Sequence, residues 1–87
     1  MKVKEFLTKE NWGRKTFATL KDGTSCHWLD KEAKKFCLLG ATYRCHPGET
    51  AHIDALLDRA CGNPATWNDM PGRTFEEVKA LVEKLDI

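Results

Sequence analysis

The sequence predicts an α+β domain dominated by helix: about four helices, with one β-hairpin between the first and second helices. Three observations carry that reading. Apolar residues recur at helical spacing in four segments. An Asp22-Gly23 pair lies between two extended runs, where it supplies the positive φ angles of a tight hairpin turn. The 87 residues suffice for one domain, 1–87, with a thin margin of burial.

Residues 2–10 read as a short helix with Val3, Phe6 and Leu7 on one face, broken at Trp12-Gly13. The runs Lys15–Leu20 and Thr24–Trp28 flank Lys21-Asp22-Gly23 as the two hairpin strands. Two strands alone are marginal in water, so the hairpin must pack on helices. Asp30 can cap a helix over 31–45, where Ala33, Cys37, Gly40 and Ala41 form a smooth stripe. Gly40 costs about 1 kcal/mol of helix propensity relative to Ala, which points to a close approach by another element. His46-Pro47-Gly48 is a turn. Thr50 to Cys61 is a helix, with Ile53, Leu56, Leu57 and Ala60 inward, Gly62 as its stop and Pro64 preventing continuation. A loop over 63–73 leads to the last helix, which Thr74 and Glu77 open as a capping box. Phe75, Val78, Leu81, Val82 and Leu85 line its buried face.

Composition narrows the function. Hydrophobic residues make up 41% and charged residues 31%, a globular balance. Fourteen basic against thirteen acidic residues leave a net charge of +1, which argues against a nucleic acid or anionic-membrane partner recruited by bulk charge. The basic clusters Lys31, Lys34, Lys35 and Arg14, Lys15 read as solvated faces. The N-terminal stretch has no apolar signal region, and no apolar run reaches the roughly 18 residues a membrane helix needs. A cytoplasmic setting is expected, where Cys26, Cys37, Cys45 and Cys61 are free thiols or metal ligands rather than disulfides.

Two segments together resemble a known family. One is Phe36-Cys37-Leu38-Leu39-Gly40-Ala41, a Cys-Leu-x-Gly-Ala helix; the other is Trp67-Asn68-Asp69 followed by Pro71-Gly72-Arg73-Thr74. Their order around an acidic-Gly hairpin is similar to that in small proteins of unknown function encoded by bacterial and phage genomes. The resemblance runs from about Trp12 to Leu85 and implies a small intracellular domain, in phage-encoded members one that meets host proteins. It implies no activity. The stretch Arg44-Cys45-His46-Pro47 departs from the pattern.

The segment from Trp67 to Thr74 is the candidate site. As structure, Trp67 would bury its indole and bond its N–H to a carbonyl, Asn68 and Asp69 would bond nearby amides, and Arg73 would reach Asp69 or a carbonyl. As a site, Trp67, Asn68, Asp69, Arg73 and Thr74 would surround an anionic or phosphate-bearing small molecule, with the Arg fork and the first amides of the last helix as donors. A general-base role for Asp69 lacks a second catalytic group. The metal reading uses Cys26, His27, Cys37, Cys45, His46, His52 and Cys61, but their spacings match no zinc-binding pair. Adjacent Cys26-His27 and Cys45-His46 suit a nucleophile–base pair poorly, because such pairs usually meet through the fold. Trp28 and Tyr43 read as core residues. No catalytic residue, metal or cofactor is assigned. The expected function is a non-enzymatic binding module with a protein partner, the alternative a small-molecule binder at Trp67–Thr74. A homodimer would cover surface that four short helices and a hairpin leave bare.

Overall fold

The computed structural model describes residues 1–87. Its order is α1 (Val3–Phe6), β1 (Ala18–Thr19), β2 (Lys35–Phe36), α2 (Leu38–Cys45), α3 (Thr50–Cys61), α4 (Pro64–Asp69) and α5 (Phe75–Leu85). The architecture is the helix-dominant α+β arrangement expected, with one antiparallel strand pair between the first two helices. Several element boundaries differ from those read in the sequence, and hydrogen bonding accounts for each.

The first helix is a single turn, not the nine residues read from apolar spacing. Lys2 N donates to Glu5 Oε1 at 3.0 Å and starts it. It ends because Thr8 and Asn11 bond each other's backbone, Thr8 N to Asn11 Oδ1 at 2.6 Å and Asn11 N to Thr8 Oγ1 at 3.2 Å. Such side-chain bonds compete with helix for the same amides.

The turn at Lys21–Gly23 forms as expected, with Gly23 at φ 90° and Leu20 N bonded to Thr24 O at 2.8 Å. The returning arm stays beside β1 only through the Thr19–Ser25 pair and the bond from Cys26 N to Ala18 O at 3.0 Å, short of the Thr24–Trp28 strand expected. β1 instead pairs with β2, Ala18 opposite Phe36 and Thr19 opposite Lys35. This corrects the expected helix over 31–45. Asp30 Oδ1 accepts from Glu32 N and closes a turn. The amides of Lys34, Phe36 and Cys37 then donate to Thr19 O, Asn11 O and Phe17 O at 2.7, 2.7 and 3.2 Å. The extended path buries Phe36 against Phe6, ring centroids 4.9 Å apart, and burying such a side chain contributes about 1.5–3 kcal/mol.

α2 therefore starts at Cys37, whose Sγ accepts from Gly40 N at 3.3 Å. The tight approach expected at Gly40 is present: a Cβ there would lie 1.9 Å from the Phe17 carbonyl oxygen. Arg44 on α2 donates to the carbonyls of Trp28 and Asp30 at 3.0 and 2.8 Å and pins that segment to the helix. α3 has the boundaries read from the sequence, stopped at Gly62 with φ 78°.

The segment after α3 is not all loop. Asn63 Oδ1 accepts from Thr66 N at 3.0 Å and caps α4, with Pro64 in its first turn. Pro stops one helix and opens the next, because the first helical position needs no N–H. The Thr74–Glu77 capping box of α5 forms as expected, Glu77 N to Thr74 Oγ1 at 3.2 Å and Thr74 N to Glu77 Oε1 at 2.9 Å. One core unites Val3, Ala18, Phe36, Leu38, Leu57 and Val78 from the other six elements. The buried residue of α4 is polar, Asn68. No helix is long and apolar enough to cross a membrane.

Candidate functional site

Asn68 sits at the centre of the site with no exposed surface. An uncompensated buried amide would cost several kcal/mol, so its bonds decide its role. Oδ1 accepts from Trp12 Nε1 at 2.7 Å and from Leu38 N at 3.1 Å. Nδ2 donates to Gly13 O at 3.1 Å and to Asp69 Oδ1 at 3.0 Å. The side chain thus uses all four of its hydrogen-bonding positions and ties α4 to the Trp12–Gly13 segment and to the start of α2.

Asp69 continues the network. Its Oδ1 also accepts from Lys15 N at 2.9 Å. That bond holds Lys15 at φ 74°, a left-handed conformation costing a non-glycine residue roughly 1–2 kcal/mol. No protein donor reaches Asp69 Oδ2.

Arg73 serves the fold. Its guanidinium carbon lies 3.9 Å from the Trp67 ring centroid, Nε donates to Trp67 O at 2.9 Å, and Nη1 meets Glu77 Oε2 at 2.9 Å. The Arg73 carbonyl in turn accepts from Arg14. Thr74 spends its hydroxyl on the capping box. The bonded indole N–H belongs to Trp12 rather than to Trp67, the residue the sequence pointed to. The five candidate residues are thus brought together. Four of them spend polar groups or a ring face on the protein itself, and Asp69 alone offers a free oxygen. Arg73→Ala is expected to lower stability by about 1–3 kcal/mol in urea melts, through loss of the charged Nε bond to the Trp67 carbonyl and of the stack on its ring. Arg73→Lys should not restore it, because Lys has neither the planar stack nor the Nε donor.

Asp69 lines two depressions. One is a cavity of 290 Å3 walled by Lys15, Thr16, Phe17, Cys37, Ala65 and Asp69. The other, of 420 Å3, is bounded by Ala65, Thr66, Asp69, Met70 and Pro71.

Family comparison is decisive on one point: a family model matches residues 1–85. The chain belongs to DUF6197, a family of unknown function. Comparisons with curated proteins and with solved structures give no match.

In this DUF6197 protein an aromatic cluster borders the cavity, and the sequence did not announce it. Phe17 lies 5.4 Å from Trp28 and 6.0 Å from Tyr43, centroid to centroid, and His27 stacks on Trp28 at 4.0 Å. Trp28 and Tyr43 are half-buried rather than core. Phe17 is 40% exposed and neighbouring Leu29 51% exposed. The signal lay in strand-like residues around a turn, but nothing in their order says that α2 brings Tyr43 beside them. Tyr43 donates to both oxygens of Asp54 at 2.8 and 2.9 Å. Burial first, then the bond to Asp54, pushes its phenol up to about 12. Because it is the one tyrosine, ultraviolet titration reads it alone: ionisation near 12 is expected, moving part-way back toward 10 in Asp54→Asn.

The cysteine chemistry is quiet. All four are free thiols, each pushed up chiefly by burial, whereas a nucleophilic thiol needs a depressed value. His27 Nδ1 accepts from Leu29 N at 3.0 Å, and His46 Nε2 lies 2.6 Å from Ile87 O, so both imidazoles are engaged away from their neighbouring thiols. No group of three or more His, Cys, Asp or Glu side chains is placed to hold a metal ion.

Proposed function

We propose that this DUF6197 protein is a non-enzymatic, intracellular binding module whose partner is another protein, a host protein where a phage carries the chain. The observation that supports it most is the aromatic face of Phe17, Trp28 and Tyr43, with exposed Leu29 next to Trp28 in the chain. Aromatic residues dominate the energetic centres of protein interfaces, because each buries a large area at little entropy cost. Arg44, already held by two carbonyls, backs this face rigidly. Leu29→Asp is the test. Leu29 is outside the core cluster, so the melting temperature should stay within about 2 °C while a co-purifying partner is lost. A partner retained at full yield would contradict the assignment of this face.

One observation favours a second reading, a small anionic or phosphate-bearing ligand: the 290 Å3 cavity beside α4 has a cation, Lys15, in its wall together with the Asp69 carboxylate. Its volume sits at the low end for ligand pockets. Inorganic phosphate or a nucleotide would then raise the melting temperature by mass action, and Lys15→Ala would abolish the rise.

A further inference from the structure

A third depression, of 480 Å3, has Tyr43, Asp54, Asp58 and Ala65 in its wall. Ala65, in the first turn of α4, lines all three. The surface around it is continuous with the aromatic face, since Phe17 belongs to the first depression and Tyr43 to the third.

Charge is distributed unevenly over this surface. Asp54, Asp58 and Asp69 border it, and none forms an ion pair with a Lys or Arg of the chain. Elsewhere Asp86 is paired with Lys2 and Lys4, and Glu77 with Arg73. Asp54 accepts a hydrogen bond from the Tyr43 phenol. Against these three carboxylates stands one cation, Lys15. In a chain of net charge +1, such a local excess is complementary to a basic partner.

We infer that the three depressions meeting at Ala65 form one docking surface for a basic segment of the partner protein, an inference that rests on the protein-binding reading above. One apolar side chain of that segment enters the cavity between Phe17 and Ala65. A cavity of about 150 Å3 holds a benzene ring, so 290 Å3 holds a Leu or Phe side chain. Lys or Arg side chains on either side of the anchor meet Asp54 and Asp58 in one direction and the free oxygen of Asp69 in the other. The anchor supplies desolvated contact, and the flanking charges supply orientation and selectivity.

The test is an amide-resonance NMR titration with three synthetic peptides. Each carries one central Phe, flanked by Lys and Arg in the first, by Glu in the second and by Gln in the third. The basic peptide is expected to shift resonances of Phe17, Tyr43, Ala65 and Asp69, and to lose affinity at high salt. Asp58→Lys, at an exposed side chain with no internal partner, should weaken it by about fivefold or more while the spectrum stays folded. Binding of the Gln or Glu peptide as tightly as the basic one, shifts lying elsewhere, or an unchanged affinity in Asp58→Lys would overturn the basic partner. Tight binding of the Gln peptide at Phe17 would do so while leaving the protein-binding face intact. If no peptide shifts any resonance, the basic-segment inference falls, and the Leu29→Asp co-purification result decides separately whether the face binds a protein at all.

Discussion

Asn68→Ala should lower the stability of the domain by about 3–5 kcal/mol and its melting temperature by more than 12 °C. The substitution removes the acceptor of the Trp12 indole and of the Leu38 amide, and the donor to the Gly13 carbonyl. Each buried polar group left without a partner costs about 1–3 kcal/mol. Asn68 is fully buried, so water reaches it only by opening the structure. Against a typical total of about 5–15 kcal/mol for small domains, the loss would leave a large unfolded fraction at physiological temperature. Asn68→Asp is the informative companion. It keeps the acceptor and the shape, but it loses the donor to Gly13 and sets a second carboxylate against Asp69. It should therefore also be destabilised, and more so at neutral than at acid pH, where the new carboxyl is protonated. Urea unfolding at both pH values measures the difference. Full stability in Asn68→Ala would show that α4 is held by something other than this amide.

The second large effect is expected at Gly40, where two principles give opposite signs. Helix propensity alone says that Gly40→Ala should stabilise α2 by about 1 kcal/mol. The geometry says otherwise, because the new Cβ would meet the Phe17 carbonyl oxygen at 1.9 Å and its carbonyl carbon at 2.8 Å. Those are backbone atoms, and the same oxygen accepts from Cys37 N at the start of the helix. The clash cannot be relieved by a rotamer change. Overpacking typically costs about 1–3 kcal/mol, and a backbone obstacle belongs at the upper end or beyond. The net expectation is a loss of about 2 kcal/mol or more. A melting temperature above that of the parent would mean that the strand and α2 separate more easily than the hydrogen bonds suggest.

What the sequence made legible follows the range of the forces involved. α3 and α5 were readable because their apolar spacing, Gly62 stop and Thr74–Glu77 box are local signals. Two-residue strands carry no alternation to read. Ala33 lay in step with Cys37, Gly40 and Ala41 at helical spacing, so β2 was absorbed into the helix behind it. Pro64 was read only as a stop, and α4 was missed for that reason. At the site, the residue types of Asn68 and Asp69 pointed to a segment that the structure fills with internal hydrogen bonds. Their partners Trp12, Gly13, Lys15 and Leu38 lie 30 or more positions away, and no local pattern names them. For Arg73 both a reach to a carbonyl and a ligand contact were open; the structure has the first, at Trp67, and adds a stack on the Trp67 ring that residue types alone do not name.

The face of Phe17 and Trp28, with Leu29 beside Trp28 in the chain, is proposed to bind a protein. Site-specific photo-crosslinking in cells tests it most directly, with the photoreactive residue at Leu29 and, as control, at exposed Glu83 on α5. One discrete heterologous adduct is expected from position 29, absent from position 83 and abolished by Phe17→Ser. Identical products from both positions, or an adduct only to a second copy of this chain, would contradict it.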